Sequence, residues 1–133
     1  DNSLIEGAIE EILRFDGPTG ASVRLVKNTH TMHGVSLTAG ERVFVMINAA
    51  NRDARAFPEP DRVDITRSPN NHLTFNYGPH FCMGAPLARL EGQIAIGEIL
   101  RRLPTMTLTK NVYDYMDTMI MRGVRNMPVS IAR

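Results

Sequence analysis

The chain has 133 residues, 43% hydrophobic and 22% charged, with 15 basic residues against 14 acidic ones and a net charge of +1. That length allows one domain, or part of one, with a single modest core, and the even charge balance implies no strongly basic face, which makes nucleic acid a poor guess for a partner. The longest clean apolar run, 43–47, is far too short for a membrane span, and one cysteine cannot close a disulfide within the chain.

In chain order, Ser3-Leu4-Ile5-Glu6 is a capping-box pattern, and Ile5, Ala8, Ile9, Ile12 and Phe15 follow at helical spacing as far as Asp16-Gly17-Pro18. A helix over 4–15 is predicted. Residues 23–27 and 42–47 read as paired strands of a small antiparallel sheet, joined through Gly34 and Ala39-Gly40. His30-Thr31-Met32-His33 falls in a turn of that connection, with no third ligand to make a metal site. Over 52–71, Pro58, Pro60 and Pro69 stand among charged residues and forbid long regular elements, so a packed, meandering loop is expected. Pro86, then Leu87, Leu90, Ile94, Ile99 and Leu103 before Pro104, predict a second long helix over about 85–103. Short strands are expected over 105–109 and 118–131, the latter broken at Gly123 and Pro128. These elements make an α+β fold.

The chemistry concentrates at Cys82, between Gly78 and Gly84 and just before the second long helix. A lone cysteine is usually a small buried hydrophobe. Here a thiolate would sit at the N-terminus of the next helix, where backbone N–H groups and the positive dipole end favour an anion, and the glycines let the backbone lie close to a flat group. A free thiol suits a reducing compartment, no signal peptide or anchor is recognisable, and a cytoplasmic protein is expected. A cysteine nucleophile with His80 as base is a further reading, although residues two apart in a tight loop rarely form such a dyad.

The run Phe75-Asn76-Tyr77-Gly78-Pro79-His80-Phe81-Cys82-Met83-Gly84 resembles the haem-binding loop of the cytochrome P-450 monooxygenases, F-x-x-G-x-H-x-C-x-G, with every fixed position filled, and Leu87-Ala88-Arg89-Leu90-Glu91 continues the match. Glu11 and Arg14 likewise match that family's E-x-x-R, and Phe57-Pro58-Glu59-Pro60-Asp61-Arg62-Val63-Asp64 matches its F-x-x-P-x-R-x-D. The resemblance implies haem b, iron protoporphyrin IX, as cofactor, with Cys82 the axial ligand and the sole metal ligand, its sulfur moderated by N–H groups around Met83 and Gly84. It implies Phe75 packing beside Cys82, His80 and Arg24 paired with haem propionates, and a structural Glu11-Arg14-Arg62 network behind the haem. Ile120, Met121 and Val23 are implied substrate contacts, ahead of an R-G-x-x-x-x-P pattern at Arg122, Gly123 and Pro128. Arg89, Arg101 and Arg102 pair with Glu98 on a solvated face or steer an acidic donor.

The implied fold is therefore the C-terminal part of the mostly helical cytochrome P-450 fold, with residues 1–133 its haem-binding portion. The parent enzyme would insert one oxygen atom from O2 into an apolar small-molecule substrate, using electrons from a ferredoxin-like donor, with neither nucleic acid nor membrane as partner. The long helix that activates oxygen in the family has no counterpart here. An inactive, truncated haem-binding or interaction remnant is therefore the alternative, and self-association of the isolated portion is expected.

Overall fold

The computed structural model describes residues 2–110 and 113–132. A 3-10 turn, Asn2–Leu4, leads into α1 (Ile5–Asp16), and Leu4, already in helical conformation, occupies its cap position. The expected capping box is thus absorbed into a preceding turn. β1 (Ala21–Leu25) pairs antiparallel with β4 (Arg42–Met46), Val23 lying opposite Phe44 and Arg24 opposite Val43. Between them β2 (His30–Met32) and β3 (Val35–Leu37) form a second hairpin. The segment expected as a plain turn is therefore a strand, and the reversal is confined to His33 and Gly34, both at positive φ.

A one-turn helix, α2 (Ile47–Ala50), follows β4, and the chain then runs without a strand or α-helix to a 3-10 turn, Gly78–His80. α3 (Ala85–Arg102) begins with Pro86 in its first turn and ends before Pro104. β5 (Met106–Leu108) pairs with β6 (Val129–Ile131). The stretch expected as a strand from 118 onward makes only isolated bridges, Thr19 to Met121 and Tyr115 to Val124, before β6.

The two long helices pack on each other. A Cβ built on Gly92 of α3 would come within 3.1 Å of Ile9 of α1, so the small residue sets the distance of approach. Ile9 is buried, but Ile12, assigned to the same apolar face from periodicity, is about half exposed. The reason lies in the face that α1 does bury, which carries Glu11 and Arg14 at full burial.

Burying that pair demands that every charged atom find a partner. Arg14 Nε and Nη2 donate to the two Glu11 carboxylate oxygens at 2.8 and 2.7 Å. Its Nη1 donates to the carbonyls of Asn51 and Pro60 at 2.9 and 2.8 Å, and Nη2 also reaches the Arg62 carbonyl at 3.2 Å. Glu11 accepts from the Asp64 amide at 2.9 Å, from Arg67 Nε at 3.2 Å and from Asn70 Nδ2 at 3.1 Å. These bonds fix a proline-rich segment that has no ladder of its own. Where the segment crosses α1, a Cβ on Gly7 would lie 2.4 Å from the Ile65 carbonyl oxygen, an approach only glycine permits.

The charged side chain that joins Glu11 and Arg14 as the third member of the network is therefore Arg67, and the expectation for Arg62 is corrected. Arg62 contributes its carbonyl, while its guanidinium turns out to Glu59 at 3.2 Å with both side chains largely exposed. Asp64 accounts for the exchange. Its Oδ1 accepts the Thr66 amide and hydroxyl, and the Arg67 amide bonds back to the Asp64 carbonyl, so the chain turns and returns Arg67 to the carboxylate.

Arg67→Ala should cost about 1.5–3 kcal/mol, the range for hydrogen bonds to a charged group, whereas Arg62→Ala keeps the carbonyl and should cost less than about 1 kcal/mol. Equal losses in denaturant unfolding would return the network to Arg62.

Burial disfavours the Glu11 carboxylate, but donors from Arg14, the Asp64 amide and Arg67 outweigh it and hold the carboxyl at about 2, down from 4.5. Because the folded value is the lower one, this stabilisation is complete above the unfolded value and is lost as pH falls from about 4.5 through about 2. Acid titration of Glu11→Gln should therefore lack a share of the parent's stability loss in that window. Parallel titration curves for the two proteins would contradict this.

Candidate functional site

The loop from Phe75 to Gly84 is held at both ends. Upstream, Asn51 is buried and acts as a bracket, its Oδ1 accepting the Leu73 amide at 2.7 Å and its Nδ2 donating to Thr74 Oγ1 at 3.0 Å. The Thr74 hydroxyl donates in turn to the Leu13 carbonyl of α1 at 2.6 Å. Downstream, the Ala85 amide bonds to the Cys82 carbonyl at 3.2 Å as α3 begins. Between these anchors Asn76 and Gly78 both take positive φ, and the Phe81 amide closes the 3-10 turn onto the Gly78 carbonyl.

The turn brings Cys82 back beside Phe75. The Cys82 amide donates to the Phe75 carbonyl at 2.9 Å, while the thiol itself is exposed. Phe75 is buried and meets Phe81 edge to face, with ring centroids 6.5 Å apart. A Cβ on Gly84 would sit 3.7 Å from Cys82 Sγ, ordinary contact. Tyr77, Phe81 and Met83 are exposed around the thiol, so this face is apolar and open. The structure thus brings together Phe75, Gly78, His80, Cys82 and Gly84 in one compact loop. His80 ends the 3-10 turn two residues before Cys82 and is exposed.

Arg24 stands apart on β1, half-buried, donating from Nη1 to Ser22 Oγ and to the Val23 carbonyl. The start of β1 also meets the 115–124 segment. The Gly20 amide donates to the Ile120 carbonyl at 2.8 Å, Met121 is bridged to Thr19, and the Arg122 amide donates to the Pro18 carbonyl at 2.7 Å. Val23 and Ile120 are thereby placed on neighbouring segments. Met121 lines a cavity of about 180 Å³ together with Met46, Asn48, Met116 and Met119, and neither Val23 nor Ile120 lines it.

Sequence reasoning passed over a cluster beneath Phe75. The His72 side chain is buried, with Nδ1 accepting the Thr74 amide at 3.3 Å, so Nε2 carries the proton donated toward Glu10 Oε2 at 3.2 Å. Burial is the main influence on the imidazole and pushes its pKa down against the pull of Glu10. Arg89 forms a two-pronged pair with Glu10 at 2.6 and 2.9 Å, and its guanidinium lies 4.7 Å from the Phe75 ring centroid. Arg89 therefore faces α1, not a solvated face with Glu98. Arg101 and Arg102 do pair with Glu98, in the open. A His-to-Glu contact across 62 residues has no local spacing to betray it.

The sequence matches the family profile described as cytochrome P450 over residues 3–127. It is 45% identical to a vitamin D(3) 25-hydroxylase of Pseudonocardia autotrophica, over 98% of this chain and 33% of that protein. Among solved structures it is similar to the bacillaene polyketide synthase cytochrome P-450 PksS of Bacillus subtilis 168, with a TM-score of 0.95, 38% identity and coverage of 98% of this chain and 34% of the other. It also resembles a cytochrome P-450 solved with a hexadec-9Z-enoic acid-ligated acyl carrier protein, with a TM-score of 0.93, 41% identity and coverage of 99% and 34%. The chain spans about a third of the length of the curated relatives it matches. With the profile match over nearly its whole length and the loop around Cys82 in place, the chain belongs to the cytochrome P-450 family.

Proposed function

We propose that this chain is the C-terminal, haem-binding portion of a monooxygenase that inserts one atom of O2 into an apolar small molecule. The cofactor of the family is haem b. The observation that carries the reading is the exposed Cys82 thiol, set on a loop whose amide bond to Phe75 fixes the cysteine backbone while the sulfur stays open to a ligand. The residues fit the group in their chemistry. A soft sulfur donor stands on an open apolar face, with a histidine in the same loop and an arginine on β1 as cationic or polar partners for two propionates.

In this reading Cys82 would hold the haem iron through its sulfur, and a thiolate donor would supply the electron density that favours O–O cleavage. Phe75 would pack beside the ligand, Gly78 and Gly84 would let the loop lie close to a flat cofactor, and the N–H groups around Met83 and Gly84 would moderate the sulfur. His80 and Arg24 bind propionates, for which Arg24 must leave or share its bonds to Ser22 and Val23. Ile120, Met121 and Val23 contribute apolar surface toward the substrate and help exclude water from it.

Electrons would come from a ferredoxin-like donor, steered by Arg101 and Arg102, which are exposed and share the single carboxylate of Glu98, whereas Arg89 is neutralised one-to-one by Glu10. No helix among the described residues is long and apolar enough to cross a membrane. A free thiol suits a reducing compartment, and in this reading the enzyme is cytoplasmic.

Cys82→Ser should abolish the thiolate-type carbonyl band of the ferrous protein, since a neutral hydroxyl cannot replace an anionic sulfur donor. Survival of that band in the variant would exclude Cys82 as the ligand. Residues 1–133 alone leave Leu87, Leu90, Ile94 and Leu100 of α3 exposed and are expected to self-associate and to give little coupled product when supplied with haem and reductant. A monodisperse monomer with efficient hydroxylation would contradict the assignment of this chain as one portion of the enzyme.

A further inference from the structure

Glu10, His72 and Arg89 come from three separate parts of the chain, and two of them, His72 and Arg89, meet one aromatic ring. Arg89 of α3 covers the Phe75 ring at 4.7 Å, and the His72 ring approaches it with centroids 5.9 Å apart. Glu10 of α1 receives both, Arg89 through two hydrogen bonds and His72 through one. The Phe75 carbonyl then accepts the Cys82 amide. A continuous chain of contacts thus runs from a carboxylate on α1 to the cysteine backbone.

The charges in this cluster balance. With His72 protonated only at Nε2, Glu10 contributes one negative charge and Arg89 one positive charge, and both side chains are about two-thirds shielded from water. Screening is weaker there than at an exposed pair, so the loss of one member leaves a field that reaches the loop. A guanidinium over an aromatic face is also sensitive to its counter-ion, because the carboxylate sets its orientation.

We propose that Glu10, His72 and Arg89 are positioning residues that hold Phe75 and, through the balance of their charges, set the reduction potential of an iron bound at Cys82. The inference rests on Cys82 being the iron ligand. Reduction of ferric to ferrous iron adds one negative charge to the site, so an unbalanced positive charge nearby favours the reduced form and an unbalanced negative charge the oxidised form.

The test uses the intact, haem-loaded protein. Glu10→Gln keeps the outline of the side chain and removes its charge, leaving Arg89 uncompensated. At a fixed electrochemical poise the ratio of reduced to oxidised protein should rise on the order of tenfold, about 59 mV for a one-electron couple. Arg89→Gln should move the ratio the other way, Arg89→Lys should stay near the parent, and the double variant Glu10→Gln, Arg89→Gln should return toward it. Each titration is read with the ferrous carbonyl spectrum and the thermal midpoint. Ratios that stay within about twofold of the parent in Glu10→Gln, with the thiolate band intact, overturn the inference, whatever happens to thermal stability. Because Glu10 is partly exposed and the change is isosteric, that variant decides the matter even where Arg89→Gln fails to fold. Absence of the thiolate band in the parent protein would instead remove the assignment of Cys82.

Discussion

A carboxylate and a guanidinium without access to water dictate the arrangement of this chain. Glu11 and Arg14 are fully buried, and such a pair gains little net stability from its own attraction, because desolvation offsets the Coulomb term. What it imposes is a requirement for partners. The two charges leave room for bonds from outside the helix, and these are met by the carbonyls of Asn51, Pro60 and Arg62, the Asp64 amide and the side chains of Arg67 and Asn70. A segment with three prolines and no strand partner thereby acquires a single path. An apolar pair of the same size would leave that path unspecified.

The same helix carries the constraint onward. Gly17, just beyond α1, admits Thr74 so closely that a Cβ there would lie 2.7 Å from the threonine methyl. Thr74 bonds to Leu13 and Asn51 at once, and Phe75 follows immediately. The position of the Cys82 amide is therefore inherited from α1 through Thr74 and Phe75, with Glu10 and Arg89 adding a second route through the aromatic ring. α3 is held against α1 at Gly92, so the loop around Cys82 is tied to the same helix on both flanks.

Much of this was legible in the sequence wherever the signal was local. Both long helices appear within a residue or two of their expected limits, because Gly17-Pro18 and Pro104 stop them and Pro86 starts the second. The pairing of β1 with β4 followed from two β-branched runs. The loop around Cys82 was legible through its family resemblance, which no single-residue propensity would have supplied. What escaped was non-local. Periodicity assigned Ile12 to the core because it cannot know that a helix will bury a charged face. The motif around Arg62 pointed to the right turn and the wrong side chain, since only the return of the chain at Asp64 and Thr66 brings Arg67 to Glu11. Nothing local singles out His72, and the sequence sets Arg89 with Glu98 or a donor, because their common partner, Glu10, is 62 and 79 residues away.

Those separations bear on the order in which the molecule can assemble. The partners of Arg14 lie 37 to 48 residues along the chain and those of Glu11 outside the helix 53 to 59. Each such contact closes a large loop, and the chain entropy of closure must be met before the contact stabilises anything. α1 can form early from its own neighbours, but its buried charges stay hydrated until the meander has wrapped around them. The segment bearing Cys82 comes after that wrap in the chain and takes its anchor from it. During synthesis α1 can therefore form long before the loop around Cys82 has its anchor, and that loop is complete only when the most distant contacts have closed.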